Sequence, residues 1–204
     1  MLLFQTFLSF IISVLSFFFC EYITGKVDKL NKPVNDIYDG LFDYTKKINQ
    51  WLHFNIFITK IILIINTLYY DIFGLYTFLH VIVNYPIIGY FGSLIAFVRI
   101  FFVWIIHLPI PKSIIWIKTN VPTLLVNYSA KTDLFFSGHT AFSTYIFLYW
   151  FNLGNNIYNS LLSFFFFIYT ILMLIIMRVH YTMDIYAGFI TAVAAFYVAL
   201  QFIK

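Results

Sequence analysis

The chain has 204 residues, 62% of them hydrophobic, 23% aromatic and only 10% charged. A soluble domain carries about 25% charged residues, so this composition leaves no surface to show water and reads as one integral membrane domain over residues 1–204. The net charge of +4 comes with no basic run on a soluble fold, which gives a nucleic-acid partner no support. Cys20 is the single cysteine and excludes an intrachain disulfide.

Met1 to Cys20 is almost wholly apolar and long enough to cross a hydrocarbon core of ~30 Å. It lacks a basic start and a small-residue cleavage site, so it reads as a first span rather than a cleaved signal. Glu21 to Gln50 is a polar interlude broken by Pro33 and Gly40. Within it Asp36 to Gln50 is expected as a short interfacial helix, apolar along Ile37, Leu41, Tyr44 and Ile48. Trp51 to Tyr70 is the second expected span, carrying Lys60. Asp71 to Asn84 reads as a reentrant or interfacial turn, unless the second span is shifted toward it. Pro86 to His107 is the third span and holds Arg99; Leu108, Pro109, Ile110 and Pro111 end it, because proline cannot continue a helix.

Lys112 to Phe136 is a second polar loop. His139 to Phe151, Ile157 to Met177 and Tyr181 to Ile203 are the fourth, fifth and sixth spans, with a tight turn at Asn152 to Asn156. Small residues including Ala187, Gly188 and Ala192 let the last span pack closely on a neighbour. The fold expected is all-α, a polytopic bundle of six transmembrane helices. Six spans put His139 and His180 at the same membrane face; one miscounted span would put them on opposite faces.

Two stretches concentrate the polar chemistry, Asp133 to Thr140 and Arg178 to Asp184. Ionisable groups at the edge of hydrocarbon are expensive, so such a cluster is a functional-site hypothesis by default. His180 and Asp184 lie four apart and share a helical face if the sixth span begins at His180. The carboxylate then fixes the imidazole tautomer and leaves the other nitrogen as a nucleophile. His139 is placed to protonate a leaving oxygen. Ser137, the Gly138 amide and Arg178 are candidate phosphate donors, and Arg99, inside its span, is divided between phosphate contact and a buried pair, with Asp71 as one partner. Two histidines and one carboxylate also match a zinc or iron site, but that reading gives the serine, glycine and arginine no task. His53, His80 and His107 read as packing or interface residues.

Phe136 to Thr140 and His180 to Asp184 resemble the paired signatures of the sphingomyelin synthase branch of the type 2 phosphatidic acid phosphatase superfamily. Arg99 with Leu108 to Pro111 resembles a third motif of that branch, and Pro33 to Asp36 a degenerate first one. The resemblance implies a six-helix bundle, His180 as nucleophile, Asp184 as its orienting partner, His139 as general acid, and no metal or other cofactor. The substrates implied are a membrane phospholipid and a lipid alcohol such as ceramide or diacylglycerol, between which phosphocholine or phosphoethanolamine moves. The general phosphatase pattern has its arginine six residues before the nucleophilic histidine, whereas Arg178 is two before His180. That departure favours the transferase branch; a lipid phosphate phosphatase using water, and a non-catalytic lipid-binding scaffold, are the alternatives. Loop charge places the motif side in the cytosol, with Lys26, Lys46, Lys47, Lys112 and Lys118 all there. The resemblance implies the lumenal or exoplasmic face of an endomembrane or plasma membrane, where Asn127 would be a glycosylation acceptor.

Overall fold

The computed structural model describes residues 2–30, 37–126, 128 and 135–203. The degenerate motif at Pro33 to Asp36, Asn127 and Asp133 lie outside the described residues. The fold among them is all-helical: α1 Leu2–Leu30, α2 Gly40–Tyr44, α3 Lys46–Phe54, α4 Ile56–Leu68, α5 Leu75–Asn84, α6 Pro86–Ile105, α7 Gly138–Asn152, α8 Ile157–Ile176 and α9 Thr182–Leu200. Among the described residues, four stretches can cross a membrane by length and hydropathy: Ile56–Asn84, Pro86–Ile105, Ile157–Ile176 and Thr182–Leu200. The helix α1 packs along α6, and the 15-residue α7 is sandwiched against α8 and α9.

The early boundaries differ from expectation. The first helix runs on through the polar stretch to Leu30 instead of ending at Cys20. Trp51 belongs to α3, whose C-cap Asn55 breaks the chain direction before α4 begins. Asp71 to Asn84 is no turn: a π-helical segment, Tyr69–Gly74, joins α4 to α5 in one continuous 29-residue stretch. Asp71 is tolerated there because its carboxylate accepts the backbone amides of Leu124 (2.9 Å) and Leu125 (2.8 Å). A carboxylate holding two amide hydrogen bonds is not left as a bare charge beside hydrocarbon. The turn comes later, at Tyr85, which leaves helical geometry (φ −140°, ψ 66°) ahead of Pro86.

Lipid is as apolar as leucine, so helices in a membrane associate through close packing and interhelical hydrogen bonds. The contact between α1 and α6 uses both. Ser13 Oγ and Ser93 Oγ are 2.6 Å apart, and Ser9 donates to the Pro86 carbonyl at 3.2 Å. The centre of the bundle is filled by Tyr149, Trp150, Phe136 and Phe196, all at most 2% exposed. The indole of Trp150 donates to Thr77 Oγ1 at 2.8 Å, satisfying its polar tip.

The motif-bearing ends are shaped by capping. Ser137 is the N-cap of α7 and accepts the Thr140 amide at 3.2 Å. At the end of α8, Val179 N donates to Leu174 O (3.0 Å) and Arg178 N to Ile175 O (3.2 Å), with Arg178 at φ 56°. This is the Schellman pattern, with arginine at the left-handed position that glycine usually takes. Val179 and Leu174 pack in the same apolar cluster, as the motif requires. The chain is thereby reversed in a few residues and delivers His180 to the start of α9.

Candidate active site

His139 sits in the first turn of α7 and His180 just ahead of α9, and their ring centroids are 6.4 Å apart. Asp184, fully buried in the first turn of α9, lies with Oδ2 3.9 Å from His180 Nδ1 and accepts the Tyr181 amide at 3.0 Å. At 3.9 Å the contact with His180 is electrostatic rather than a hydrogen bond. A carboxylate at a helix N-terminus is favoured by the helix dipole, and Asp184 faces one edge of the imidazole.

His139 is braced from behind. Tyr70, delivered by the π-helical segment, donates to the His139 carbonyl at 2.9 Å and sets its ring edge-on to the imidazole, centroids 5.2 Å apart. Trp116 packs edge-on from another side at 5.5 Å. Arg99 comes in from α6 and donates Nε to the Phe136 carbonyl at 3.3 Å. Its guanidinium lies so close over Gly138 that a Cβ there would meet Nε at 2.9 Å. Gly138 is thus the residue that lets a cation lie against the α7 N-terminus. The first amides of a helix lack intrahelical acceptors, so the α7 terminus and Arg99 form an anion-attracting corner beside both histidines.

Ser137 and Arg178, the two other candidate phosphate donors, hold bonds within the protein. Ser137 is fully buried, and its hydroxyl is taken up by the Thr140 amide and the Thr140 hydroxyl (3.0 Å). Arg178 donates Nη1 to the Lys112 carbonyl (3.0 Å) and Nη2 to the Phe42 carbonyl (2.9 Å), with its guanidinium over the Phe42 ring. The left-handed backbone at Arg178 turns its side chain toward the two polar loops, where it fastens them to the histidine turn. Arg99 is not paired with Asp71, whose acceptors serve Leu124 and Leu125. His53 and His80 lie off the site, bonded to the Ser113 carbonyl and to the Tyr149 hydroxyl respectively.

Sequence reasoning missed Asp39. Its carboxylate accepts the Thr182 amide at 2.6 Å and the Thr182 hydroxyl at 2.8 Å, and it also N-caps α2 through Leu41 N at 3.0 Å. Phe42 stacks on Tyr181 one step further along, centroids 5.7 Å apart. The polar interlude therefore grips the His180 turn from outside. Asp39 followed by Gly40 carries a local helix-cap signal, but nothing local points to a residue 143 positions away. Removing Asp39 as alanine is expected to destabilise the protein by ~1–2 kcal/mol and to lower turnover more than stability alone explains, with asparagine restoring part of both. Thermal unfolding in detergent and an activity assay check this; unchanged turnover in Asp39→Ala would leave the grip without a functional part.

Residues 132–201 match the family model PAP2 superfamily C-terminal. The match supports the PAP2 superfamily and takes in both histidine stretches and α7 to α9. No curated protein and no solved structure matches the chain. Together with the apolar helices, the PAP2 match points to membrane lipid phosphatase or phosphotransferase chemistry. Among the described residues no group of three or more His, Cys, Asp or Glu is arranged to hold a metal ion.

Proposed function

We propose that this protein is a membrane lipid phosphotransferase that works through a phosphohistidine at His180. The observation that carries the proposal is the meeting of His139, the His180 and Asp184 pair, and the Arg99-covered terminus of α7 in one corner. Asp184 orients His180 and stabilises the positive charge that develops on its ring. Nε2 attacks the phosphorus of a lipid phosphoester, the phosphorus–oxygen bond to the leaving lipid breaks, and His139 gives its proton to the departing oxygen. An acceptor hydroxyl then loses its proton to His139 as its oxygen attacks phosphorus. The bond to His180 breaks, and both histidines return to their starting states. Arg99 and the first α7 amides meet the charge on the non-bridging oxygens, where such donors act most strongly.

The acceptor we favour is a lipid alcohol such as ceramide or diacylglycerol, with phosphocholine or phosphoethanolamine as the group moved. Arg178 supports this reading indirectly, since it stands two residues before His180 and is engaged with backbone carbonyls instead of replacing the phosphatase-type arginine. Water as acceptor is the second reading, and the PAP2 match favours it equally. Purified protein incubated with phosphorus-labelled phosphatidylcholine, ceramide and diacylglycerol separates the two by thin-layer analysis. Label moving to a new lipid is the expected result. Label released only as a water-soluble product would replace transfer by hydrolysis, and no movement of label from any phospholipid would sink both.

A further inference from the structure

A cavity of about 400 Å³ runs from the histidines into the bundle. Gly138, His139, His180 and Arg99 line one end. The same cavity is lined by Gly89 near the start of α6, by Val81 near the end of α5 and by Tyr149 near the end of α7. Two of its walls report the same depth. His139 and Tyr149 on α7 are ten residues apart, and so are Gly89 and Arg99 on α6, which at 1.5 Å per residue is ~15 Å in each case. That is about half a hydrocarbon core of ~30 Å.

The polar groups along this depth are already engaged inside the protein. Ser13 and Ser93 bond each other, and Thr77 accepts from Trp150. Tyr145 donates to the Ile88 carbonyl at 2.6 Å, and Tyr149 pairs with His80. What remains for an occupant is mostly carbon: Phe78, Phe142 and Ile146, with the small Ala96 on the α6 wall three residues before Arg99. Among the described lining residues below the histidines, most polar side chains are committed to bonds within the protein, whereas a hydrocarbon chain needs no such partner.

We infer that this cavity holds one acyl chain of the substrate lipid, and that its far end sets the longest chain accepted. The inference rests on the lipid-phosphoester reading above, because the phosphate must lie at the His139 and Arg99 end for the chain to enter. It adds that the protein measures chain length, with Ala96 at the entrance and Phe78 deeper in the wall.

The test pairs kinetics with crosslinking. Phosphatidic acid and phosphatidylcholine with dibutyryl, dioctanoyl and dioleoyl chains are compared by kcat/KM. In Ala96→Phe the ratio of dioleoyl to dibutyryl kcat/KM is expected to fall by about tenfold or more, and in Phe78→Ala the preference shifts toward longer chains. Because Ala96→Phe is exposed to misfolding, Phe78→Ala gives an independent reading in the opposite direction. The second arm uses phosphatidic acid and phosphatidylcholine carrying a diazirine at the acyl end. Crosslinks at Phe78 or Tyr149 support the cavity, and if they appear with no turnover of any phospholipid, the chemical reading fails while the cavity stands. Crosslinks confined to the exposed α6 residues Phe97 and Phe101, or a chain-length profile unchanged in Phe78→Ala, would overturn the inference.

Discussion

His180→Ala is expected to lower turnover by ~10⁴-fold or more, the scale on which enzymes lose activity when a nucleophile is removed. His139→Ala is expected to cost ~10²–10⁴-fold, the usual worth of a positioned proton donor. The two should not multiply in the double variant, because the residues act in one sequence of steps. His180 is 4% exposed beside a fully buried Asp184, so thermal unfolding must accompany the kinetics to separate a lost nucleophile from a lost fold. His180→Ala that folds and turns over near the wild-type rate removes histidine from the role given to it.

Gly188→Ala is expected to lower turnover by ~10²-fold, the lower end of the His139→Ala range, without touching a reacting group. Gly188 lies on α9 directly under the motif loop, and a Cβ there would overlap the Ser137 carbonyl oxygen and meet the Ala141 amide at 3.3 Å. Both obstacles are backbone and cannot rotate away. Ser137 is also tied to α9 through its own amide, which donates to the Asp184 carbonyl at 3.1 Å. The α7 terminus must therefore lift away from His180. Overpacking of this kind costs ~1–3 kcal/mol, and a displacement of ~1 Å between reacting groups costs ~10²-fold in rate. Tyr186→Ala, on the exposed side of the same helix, serves as the control and should leave stability and rate unchanged. If Gly188→Ala behaves like Tyr186→Ala, the two helices do not set the histidine spacing.

Much of the local structure of the histidine-bearing half was legible in the sequence because its signals are local. His139 reads as opening a helix, and the turn at Asn152 to Asn156 and the stop at Leu108 to Pro111 are built from residues with narrow backbone preferences. The helix over Ile56–Asn84 was legible only as an alternative: Asp71 looks like the end of a span until Leu124 and Leu125 are seen to donate to it from more than 50 residues away. The bonds that Arg178 makes within the protein were not legible for a related reason. Its position two before His180 suggests a phosphate ligand, but the left-handed turn that positions His180 sends the guanidinium to Lys112 and Phe42. Asp39 and Tyr70 act on the site only through the fold, so their chemistry leaves no local mark.

The central claim is a covalent bond between phosphorus and His180. Rapid quenching of the wild-type protein during turnover of phosphorus-labelled lipid, followed by digestion and mass analysis of the peptides, tests it most directly. The predicted result is an acid-labile, base-stable phospho-adduct on the peptide containing His180, absent from His180→Ala and accumulating when acceptor lipid is withheld. An adduct on His139, or no adduct while product continues to form, would contradict it.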